Sequence, residues 1–407
     1  MRKIFAALIL ILPSLVYGDP GDIYEMATEN NVFVGARAAG MGGAQIAAGE
    51  DGSALWYNPA LLTRIRRMEL SGALTHQRFF NQTRFAGVSG NEYQVNKTRL
   101  SSLWGVFPVP TEQGGLSLAM AANRVKSFDR LFRFESSGGW LVNPLGEGIG
   151  GGEDDLGSLW AYSFGGGLEL SRYVSMGAAV EFYDGENDYN YFDEEIYEGD
   201  IYTYRYEIKS NYSGYSGKVG IAYSKSPSFH LGATIKFPTY LTIEQEEYDL
   251  DGYLDGRGKY KYRLPFSFGI GTMMANRHLI LAFDLNYTDY MQLEYTSGVD
   301  YDDELDVRDV YDAVVSINAG AEYMFPSLGL TIRGGYSHDP IPYTYYPLDN
   351  DLDVFTAGFG YLLDKSLKID VALNLLNWTR RDNNFLNEYT VEKYKAQRMF
   401  ISFTYRI

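Results

Sequence analysis

The sequence predicts an all-β protein, a transmembrane antiparallel β-barrel of about 14 strands plugged by an N-terminal hatch. Three observations predict this fold. Segments long enough to cross a bilayer alternate apolar and polar side chains, and the connections between them alternate between short and long. The composition is rich in aromatic residues and glycine, with 35 Tyr, 23 Phe and 44 Gly. Outer-membrane barrels carry girdles of aromatic residues and closely packed strands.

Residues 1–18 have the features of a secretory signal peptide. Arg2 and Lys3 supply positive charge, and residues 4–12 form an apolar run that is too short to span a bilayer. Val16 and Gly18 occupy the expected cleavage positions. The alternative, an uncleaved anchor, is disfavoured by the short apolar run. Export by this signal predicts a location in the bacterial cell outer membrane.

The chain divides at the point where the side-chain pattern changes. Residues 19–66 are rich in Gly and Ala and lack strand alternation. The sequence therefore predicts a signal peptide (1–18), an N-terminal periplasmic hatch or plug (19–66) and a 14-stranded outer-membrane barrel (67–407).

Strand alternation begins near Met68. Within 279–287, apolar residues at every second position face one way, while Ala282, Asp284 and Asn286 face the other. Residues 229–237 and 367–374 repeat the pattern. The predicted strands are 68–79, 97–107, 114–126, 157–170, 173–186, 211–223, 229–240, 258–272, 278–290, 311–325, 328–337, 353–363, 367–377 and 397–407. Pro265 removes one ladder hydrogen bond and predicts a bulge or kink.

The alternating lengths of the connections set the orientation of the barrel. Short turns such as Pro326-Ser327 alternate with long loops such as 127–156 and 187–210. Outer-membrane barrels have short periplasmic turns and longer extracellular loops, so both termini should be periplasmic. A soluble β-sandwich also alternates apolar and polar residues, but nothing in it demands this alternation of loop lengths.

Composition and spacing argue against several functions. The chain has no Cys and a net charge of -17. The absence of disulfides suits a bacterial envelope protein, and the acidic charge disfavours a nucleic-acid partner. The four His are scattered and no nucleophile elbow occurs, so we predict no enzyme, no catalytic residues and no cofactor.

The acidic loops do not have the spacing of a calcium site. An EF-hand loop starting at Asp349 would need Gly at its sixth position and Glu at its twelfth, where Val354 and Gly360 stand. We therefore predict no metal site. Contacts with outer-membrane lipid and lipopolysaccharide, or with a protein partner through acidic extracellular loops, remain open.

Cations inside the barrel are the candidate ligand contacts. By the alternation, four cationic side chains face the lumen: Lys236, Arg263, Arg333 and Lys368. The default expectation is that each pairs with a lumenal acid such as Asp284, Glu322 or Asp370. The alternative is that they bind the carboxylate of an amphiphilic ligand.

The Gly/Ala-rich stretch contains three motifs in order: AAGMGGA at 38–44, EDGSA at 50–54 and YNPAL at 57–61. This order resembles the hatch of the FadL/TodX family of outer-membrane channels for long-chain fatty acids and aromatic hydrocarbons. Later segments are also similar, namely LPFSFGIG at 264–271, RGGYSHD at 333–339 and FTAGFGY at 355–361. The resemblance spans nearly all of the mature chain.

The resemblance implies a barrel with 14 strands that takes up a hydrophobic ligand passively. It implies a hatch that gates the lumen, with these gating residues: Gly40, Gly42, Gly43, Asn58, Pro59 and Ala60. It also implies lateral release through a kink in the third strand, for which Asn123 and Arg124 are candidates. Release into the membrane keeps the acyl chain out of water, at about 0.8 kcal/mol per methylene.

Two other functions remain possible from the sequence. Some relatives with this fold, in the type IX secretion system, bind or shuttle secreted proteins, and the acidic loops would suit a protein partner. A general porin is the other alternative, which the plug disfavours.

Overall fold

The structure is a computed structural model. It describes residues 33–85, 88–134, 141–142, 148–197, 200–249, 252–297, 311–342, 351–383 and 389–407. The predicted signal peptide and the predicted hatch residues before Phe33 lie outside the described residues. So do the acidic stretches 298–310 and 343–350.

Fourteen antiparallel strands form one closed barrel, as predicted. They are β1 (Glu69–Phe85), β2 (Val88–Val109), β3 (Leu116–Ser127 and Arg130–Phe134), β4 (Gly148–Ser171), β5 (Val174–Tyr197), β6 (Asp200–Ser226), β7 (Phe229–Lys236 and Thr239–Tyr248), β8 (Leu254–Leu264 and Ser267–Ala275), β9 (Leu279–Asp289 and Glu294–Ser297), β10 (Ala313–Phe325), β11 (Leu330–Asp339), β12 (Leu352–Leu362), β13 (Leu367–Asn383) and β14 (Tyr389–Arg406). Each strand pairs with the next, and β14 pairs with β1 from Glu69 opposite Arg406 to Arg84 opposite Val391. Closure leaves no unpaired sheet edge, which a bilayer would not tolerate.

The alternation predicted from the sequence separates the two faces of the wall. In β13, Leu373 and Leu375 are exposed on the outside, whereas Asn374 and Leu376 are buried inside. Large apolar side chains cover the outer face of many strands, including Leu70, Leu103, Leu118, Phe164, Ile270, Phe283, Ile332 and Phe403. Such a band suits contact with lipid.

Four strands are interrupted (β3, β7, β8 and β9), and the interruption of β8 changes which of its residues face inward. β8 breaks at Pro265, where the sequence predicts a kink. Before the break Tyr260 and Tyr262 are the buried residues, and after it Gly271 and Met273 are. The prediction that Arg263 faces the lumen is therefore wrong, because the alternation of 267–275 does not extend across the break.

Several predicted loops are strands in the structure. Residues 187–197 and 200–210 belong to the long strands β5 and β6, whose ladder continues to Tyr197 opposite Asp200. Cross-strand aromatic pairs stabilise this extension. Tyr191 lies opposite Tyr206 with the rings stacked 5.0 Å apart.

The described residues before β1 lie inside the barrel. This lumenal segment (residues 33–68) contains helix α1 (Ala36–Gly40), helix α2 (Ala54–Tyr57) and a 3₁₀ helix (Pro59–Arg64). Nearly every residue of it up to Ile65 is buried. No helix in the described ranges is long and apolar enough to cross a membrane.

Candidate functional site

The glycines of the lumenal segment allow its backbone to touch the wall. Gly42 and Gly43 have φ of 60° and 81°, which side chains of L-residues rarely adopt. A Cβ on Gly42 would lie 2.6 Å from the backbone N and O of Tyr336. At Gly40 the nearest atoms would be 3.4 Å away, an ordinary contact. Of the three predicted gating glycines, Gly42 thus makes the closest contact with the wall.

Wall glycines form the other half of this contact. A Cβ on Gly320 would overlap the carbonyl oxygen of Met41, and one on Gly335 would overlap the backbone nitrogen of Gly42. Gly177, Gly220 and Gly232 meet the lumenal segment in the same way. Our sequence analysis missed these residues. The available signal was glycine at inward positions of strands, where a side chain would normally fill the lumen.

Asn58 links three parts of the structure through its amide. Its Nδ2 donates to the carbonyls of Ile46 (2.8 Å) and Ile221 (3.2 Å), and its Oδ1 accepts from the N–H of Ala60 (3.1 Å). The side chain is fully buried, and Pro59 starts the 3₁₀ helix directly after it. The Asn-Pro-Ala turn therefore ties the lumenal segment to itself and to β6.

A buried ion network anchors the lumenal segment to β10. The Nε of Arg37 lies 3.1 Å from Glu322, whose carboxylate also lies 2.6 Å from the Nε of Arg333. Arg333 continues to Asp370 at 2.8 Å, and Lys368 lies 3.2 Å from the same carboxylate. Arg333 and Lys368 are thus engaged by protein carboxylates, as the default expectation holds for lumenal cations.

Asp284, the third acid considered as a partner for lumenal cations, has a different role. Its Oδ2 accepts the backbone N–H groups of Gln45 (2.6 Å) and Ile46 (2.8 Å). It holds the lumenal segment against β9 by bonds to its backbone.

The two buried arginines of the lumenal segment differ in their electrostatics. Burial disfavours the charge of Arg37, but the carboxylates of Glu322 and Glu50 outweigh it and raise the pKa of Arg37. Burial lowers the pKa of Arg64 to about 10, although Glu50 acts in the opposite direction. Arg64 donates to the carbonyl of Ala47 at 2.8 Å. Both groups remain cations at neutral pH.

A cavity of about 340 Å³ lies against the lumenal segment. Eight of its lining residues are apolar or aromatic and nine are polar or charged, so the pocket offers both an apolar surface and hydrogen-bonding groups. The lining residues are Phe33, Trp56, Tyr57, Val125, Lys126, Leu159, Tyr183, Lys236, Thr239, Leu241, Leu264, Ser267, Asn286, Ser316, Asn318, Ser337 and Asp339. Of the four cations predicted to face the lumen, Lys236 is the one that lines this pocket.

One buried carboxylate serves two lysines beside the pocket. Glu181 lies 3.3 Å from the Nζ of Lys218 and 3.9 Å from the Nζ of Lys236, and it accepts a 2.6 Å hydrogen bond from Tyr183. Both ammonium groups also lie over the ring of Trp56, at 4.4 Å and 5.3 Å from its centroid. Glu181 can neutralise one lysine, so the group keeps a net positive charge for a ligand anion.

The wall is incomplete next to this pocket. The ladder between β2 and β3 ends at Ser102 opposite Asn123. At this level each strand also has a register shift with its other neighbour, at Ser101 in β2 and at Val125 in β3. Beyond these bulges, β2 continues to pair with β1 and β3 with β4. Beyond Ser102 and Asn123 the described residues of β2 and β3 form no ladder with each other, and we call this unpaired stretch of the wall the gap.

The predicted kink residues lie at the edge of this gap. Residues 123–126 are all buried, which breaks the two-residue alternation. Arg124 pairs with Trp160 at an outward position of the register, yet its side chain is 3% exposed. The carboxylate of Asp129 accepts a 2.7 Å hydrogen bond from the Nη2 of Arg99 and lies 3.6 Å from the Nη1 of Arg124. An ion cluster therefore connects β2 and β3 where their backbones do not pair.

Solved structures with this architecture are outer-membrane channels. The toluene transporter TodX of Pseudomonas putida matches with a TM-score of 0.65 and 14% identity, over 92% of this chain and 99% of that chain. A FadL homologue of Pseudomonas aeruginosa matches with a TM-score of 0.67 and 14% identity, over 92% and 98%. The toluene transporter TbuX of Ralstonia pickettii matches with a TM-score of 0.57 and 15% identity, over 92% and 98%.

The chain has the FadL/TodX fold. The resemblance read from the sequence motifs is thereby confirmed for the fold. No protein-family model matches the chain, and no curated protein matches it. The channels that share the FadL/TodX fold with this chain are transporters by description.

Several site residues were not predicted from the sequence. Trp56, Lys126, Glu181, Lys218 and Asp129 lie on different elements, and none belongs to a motif. In the part of the chain that the structure describes, no three His, Asp or Glu side chains are grouped so that they could hold a metal ion.

Replacing a wall glycine by a larger residue should destabilise the packing of the lumenal segment against the wall. We expect Gly320→Val to lower the free energy of unfolding by about 1–3 kcal/mol, because the new side chain overlaps Met41. Gly334→Val is the matched control, since a Cβ there would be 3.9 Å from the nearest atom. Urea unfolding of the refolded barrel measures both; equal loss in the two variants would contradict the close backbone contact.

Removing the Asn58 amide should loosen the Asn-Pro-Ala turn. Asn58→Ala leaves the buried carbonyls of Ile46 and Ile221 without this donor, which costs roughly 1–3 kcal/mol. We expect faster hydrogen exchange at the Ala60 amide. Asn276→Ala, in an exposed turn, should leave that exchange unchanged. Unchanged exchange in Asn58→Ala would show that the turn holds without the side chain.

Proposed function

We propose that the protein is an outer-membrane channel for passive uptake of hydrophobic compounds such as long-chain fatty acids. The hatch gates the lumen, and the ligand leaves sideways into the bilayer. One observation carries this proposal. A pocket lined by both apolar or aromatic and polar residues rests on the lumenal segment and shares Val125 and Lys126 with the interrupted strand β3. The transporter descriptions of TodX and TbuX support the same class of cargo.

A route straight through the lumenal segment would be costly. It would separate Arg37 from Glu322, and an unpaired buried charge costs about 3–5 kcal/mol. It would also break the bonds of Asn58 and Asp284 to the backbone. Gating by the hatch therefore means small movements of its upper residues, such as Phe33 and Trp56, which line the pocket.

The gap between β2 and β3 offers a shorter route into an apolar medium. On the outer face beside it lies a groove of about 570 Å³ whose lining includes Leu103, Phe107, Met120 and Tyr162. A chain that moves from pocket to groove stays out of water, which preserves about 0.8 kcal/mol per methylene. Asn123 and Arg124 stand at the threshold of this route.

Lys236 is the candidate contact for a ligand carboxylate, and Lys126 joins it from β3. Both line the pocket, and Lys236 shares the carboxylate of Glu181 with Lys218. Arg333 and Lys368 serve the hatch network instead, and Arg263 pairs with Glu294 near the outer face. Outer-membrane lipid is the proposed partner of the apolar outer band.

The alternative functions have less support. A protein shuttle would use the acidic stretches 298–310 and 343–350, which lie outside the described residues. A general porin needs a wide aqueous lumen, whereas the described lumen is crossed by the buried segment 33–65.

Joining β2 to β3 across the gap should stop uptake. The chain has no Cys, so Arg99→Cys/Asp129→Cys can be bridged selectively by a short bis-methanethiosulfonate, which joins the two thiols through reducible disulfides and releases methanesulfinate. We expect uptake of a labelled fatty acid, by a Gram-negative host lacking its own such channel, to fall to background after cross-linking and to recover with reductant.

Gln77→Cys/Arg398→Cys is the matched control for this cross-link. These side chains are 2.8 Å apart on β1 and β14, whose ladder is continuous. Cross-linking there should leave uptake unchanged. Full uptake with the β2–β3 bridge in place would rule out lateral release through this gap.

Lys236 should matter for charged ligands alone. We expect Lys236→Met to raise the apparent Kd for a dibrominated fatty acid about tenfold, because a charge-assisted hydrogen bond is lost. Quenching of Trp56 fluorescence in lipid nanodiscs measures this affinity. The Trp56→Phe variant shows how much of the quenched fluorescence comes from Trp56. Arg263→Met should bind like wild type, because Arg263 pairs with Glu294 and does not line the pocket. Equal affinity in all of these variants would remove Lys236 from the ligand site.

A further inference from the structure

A belt of buried polar atoms crosses β1 to β4 at the level of the gap. Six of its side-chain atoms have no hydrogen-bond partner among the described residues: Thr75 Oγ1, Ser101 Oγ, Ser102 Oγ, Ser163 Oγ and both amide atoms of Asn123. Each of these residues is at most 2% exposed. Buried polar atoms are normally paired, because leaving one unpaired costs about 1–3 kcal/mol. Such a concentration in one place points to a polar ligand group that visits it.

The strand register brings these atoms together. Asn123 lies opposite Ser102 in β2 and opposite Ala161 in β4, two residues before Ser163. Ser101 is the bulged residue beside Ser102. The belt therefore surrounds the last paired position below the gap.

The belt lies between two cationic positions. On the lumenal side, Lys126 follows the bulge of β3 and lines the pocket. In the gap itself, Arg124 is buried, its Nη1 lies 3.6 Å from Asp129, and its Nε has no hydrogen-bond partner among the described residues. A buried cation within a barrel wall is costly, and such residues usually mark a pathway.

During lateral release, the polar head and the apolar tail of an amphiphilic ligand require different surroundings. The acyl chain gains from entering the bilayer, but the carboxylate must cross the wall without water, and a buried unpaired charge is very costly. Amide, hydroxyl and guanidinium groups along the gap would supply hydrogen bonds at each step. A neutral aromatic hydrocarbon would gain nothing from them.

We infer that Asn123, Ser101, Ser102, Ser163 and Arg124 form a relay site for the carboxylate of an anionic amphiphile at the gap between β2 and β3. The inference rests on the proposed lateral uptake and names its ligand class as monocarboxylates with an apolar chain. The carboxylate passes from Lys126 at the pocket to the polar belt and then to Arg124, while the chain moves ahead into the outer groove.

The test compares a charged and a neutral ligand in the same variants. Asn123→Leu keeps the side-chain size and removes both polar atoms, and Ser102→Ala/Ser163→Ala removes two hydroxyls. In the deletion host described above, we expect laurate uptake at neutral pH to fall about tenfold in each variant, with toluene uptake unchanged. Heat-modifiable mobility on gels confirms that the full chain is folded.

Ser210→Ala is the matched control, because its hydroxyl lies on β6 and accepts from Gln245, away from the gap. It should transport both ligands like wild type. Laurate uptake equal to wild type in both gap variants, or an equal loss of laurate and toluene uptake, overturns the relay. Absence of uptake of either ligand by the wild-type protein would instead refute the proposed channel function.

Discussion

The rest of this structure depends on one constraint. The backbone of the lumenal segment packs directly against the backbone of the wall at its glycines. Met41 and Gly42 pack directly on Gly320 and Gly335, and Pro59 packs on Gly177. A side chain at any of these wall positions would push the segment away from the strands. Because the contact is so close, the N–H groups of the segment reach wall carboxylates such as Asp284 without intervening water.

This close seat separates the two roles of charge inside the barrel. The ion pairs among Arg37, Glu322, Arg333 and Asp370 fix the segment to β10, β11 and β13. Lys236 and Lys218 share one carboxylate and leave a net positive charge beside the pocket. The ion network around Arg37 stabilises the position of the lumenal segment, whereas the two lysines beside the pocket are available to a ligand. The difference is that the two lysines share a single carboxylate.

The gap between β2 and β3 gives the pocket its direction. With its floor held by the lumenal segment, the pocket adjoins the wall where Val125 is bulged and the ladder has ended. Ion pairs from Arg99 and Arg124 to Asp129 take the place of the missing backbone bonds. Side-chain ion pairs restrain two strands with less cost of opening than a ladder does, since opening does not strand backbone groups in lipid.

The sequence by itself determined the barrel, the inward position of Lys236 and the Asn-Pro-Ala turn, because strand alternation and turn chemistry are local. It did not determine that Arg263 lies outside, since Pro265 shifts the alternation only once the strand is built. Nor did it pair Arg37 with Glu322, which is 285 residues away. The polar belt around Asn123 exists only where four strands meet in register. Such neighbours depend on strand order and bulges, and only the tertiary structure decides them.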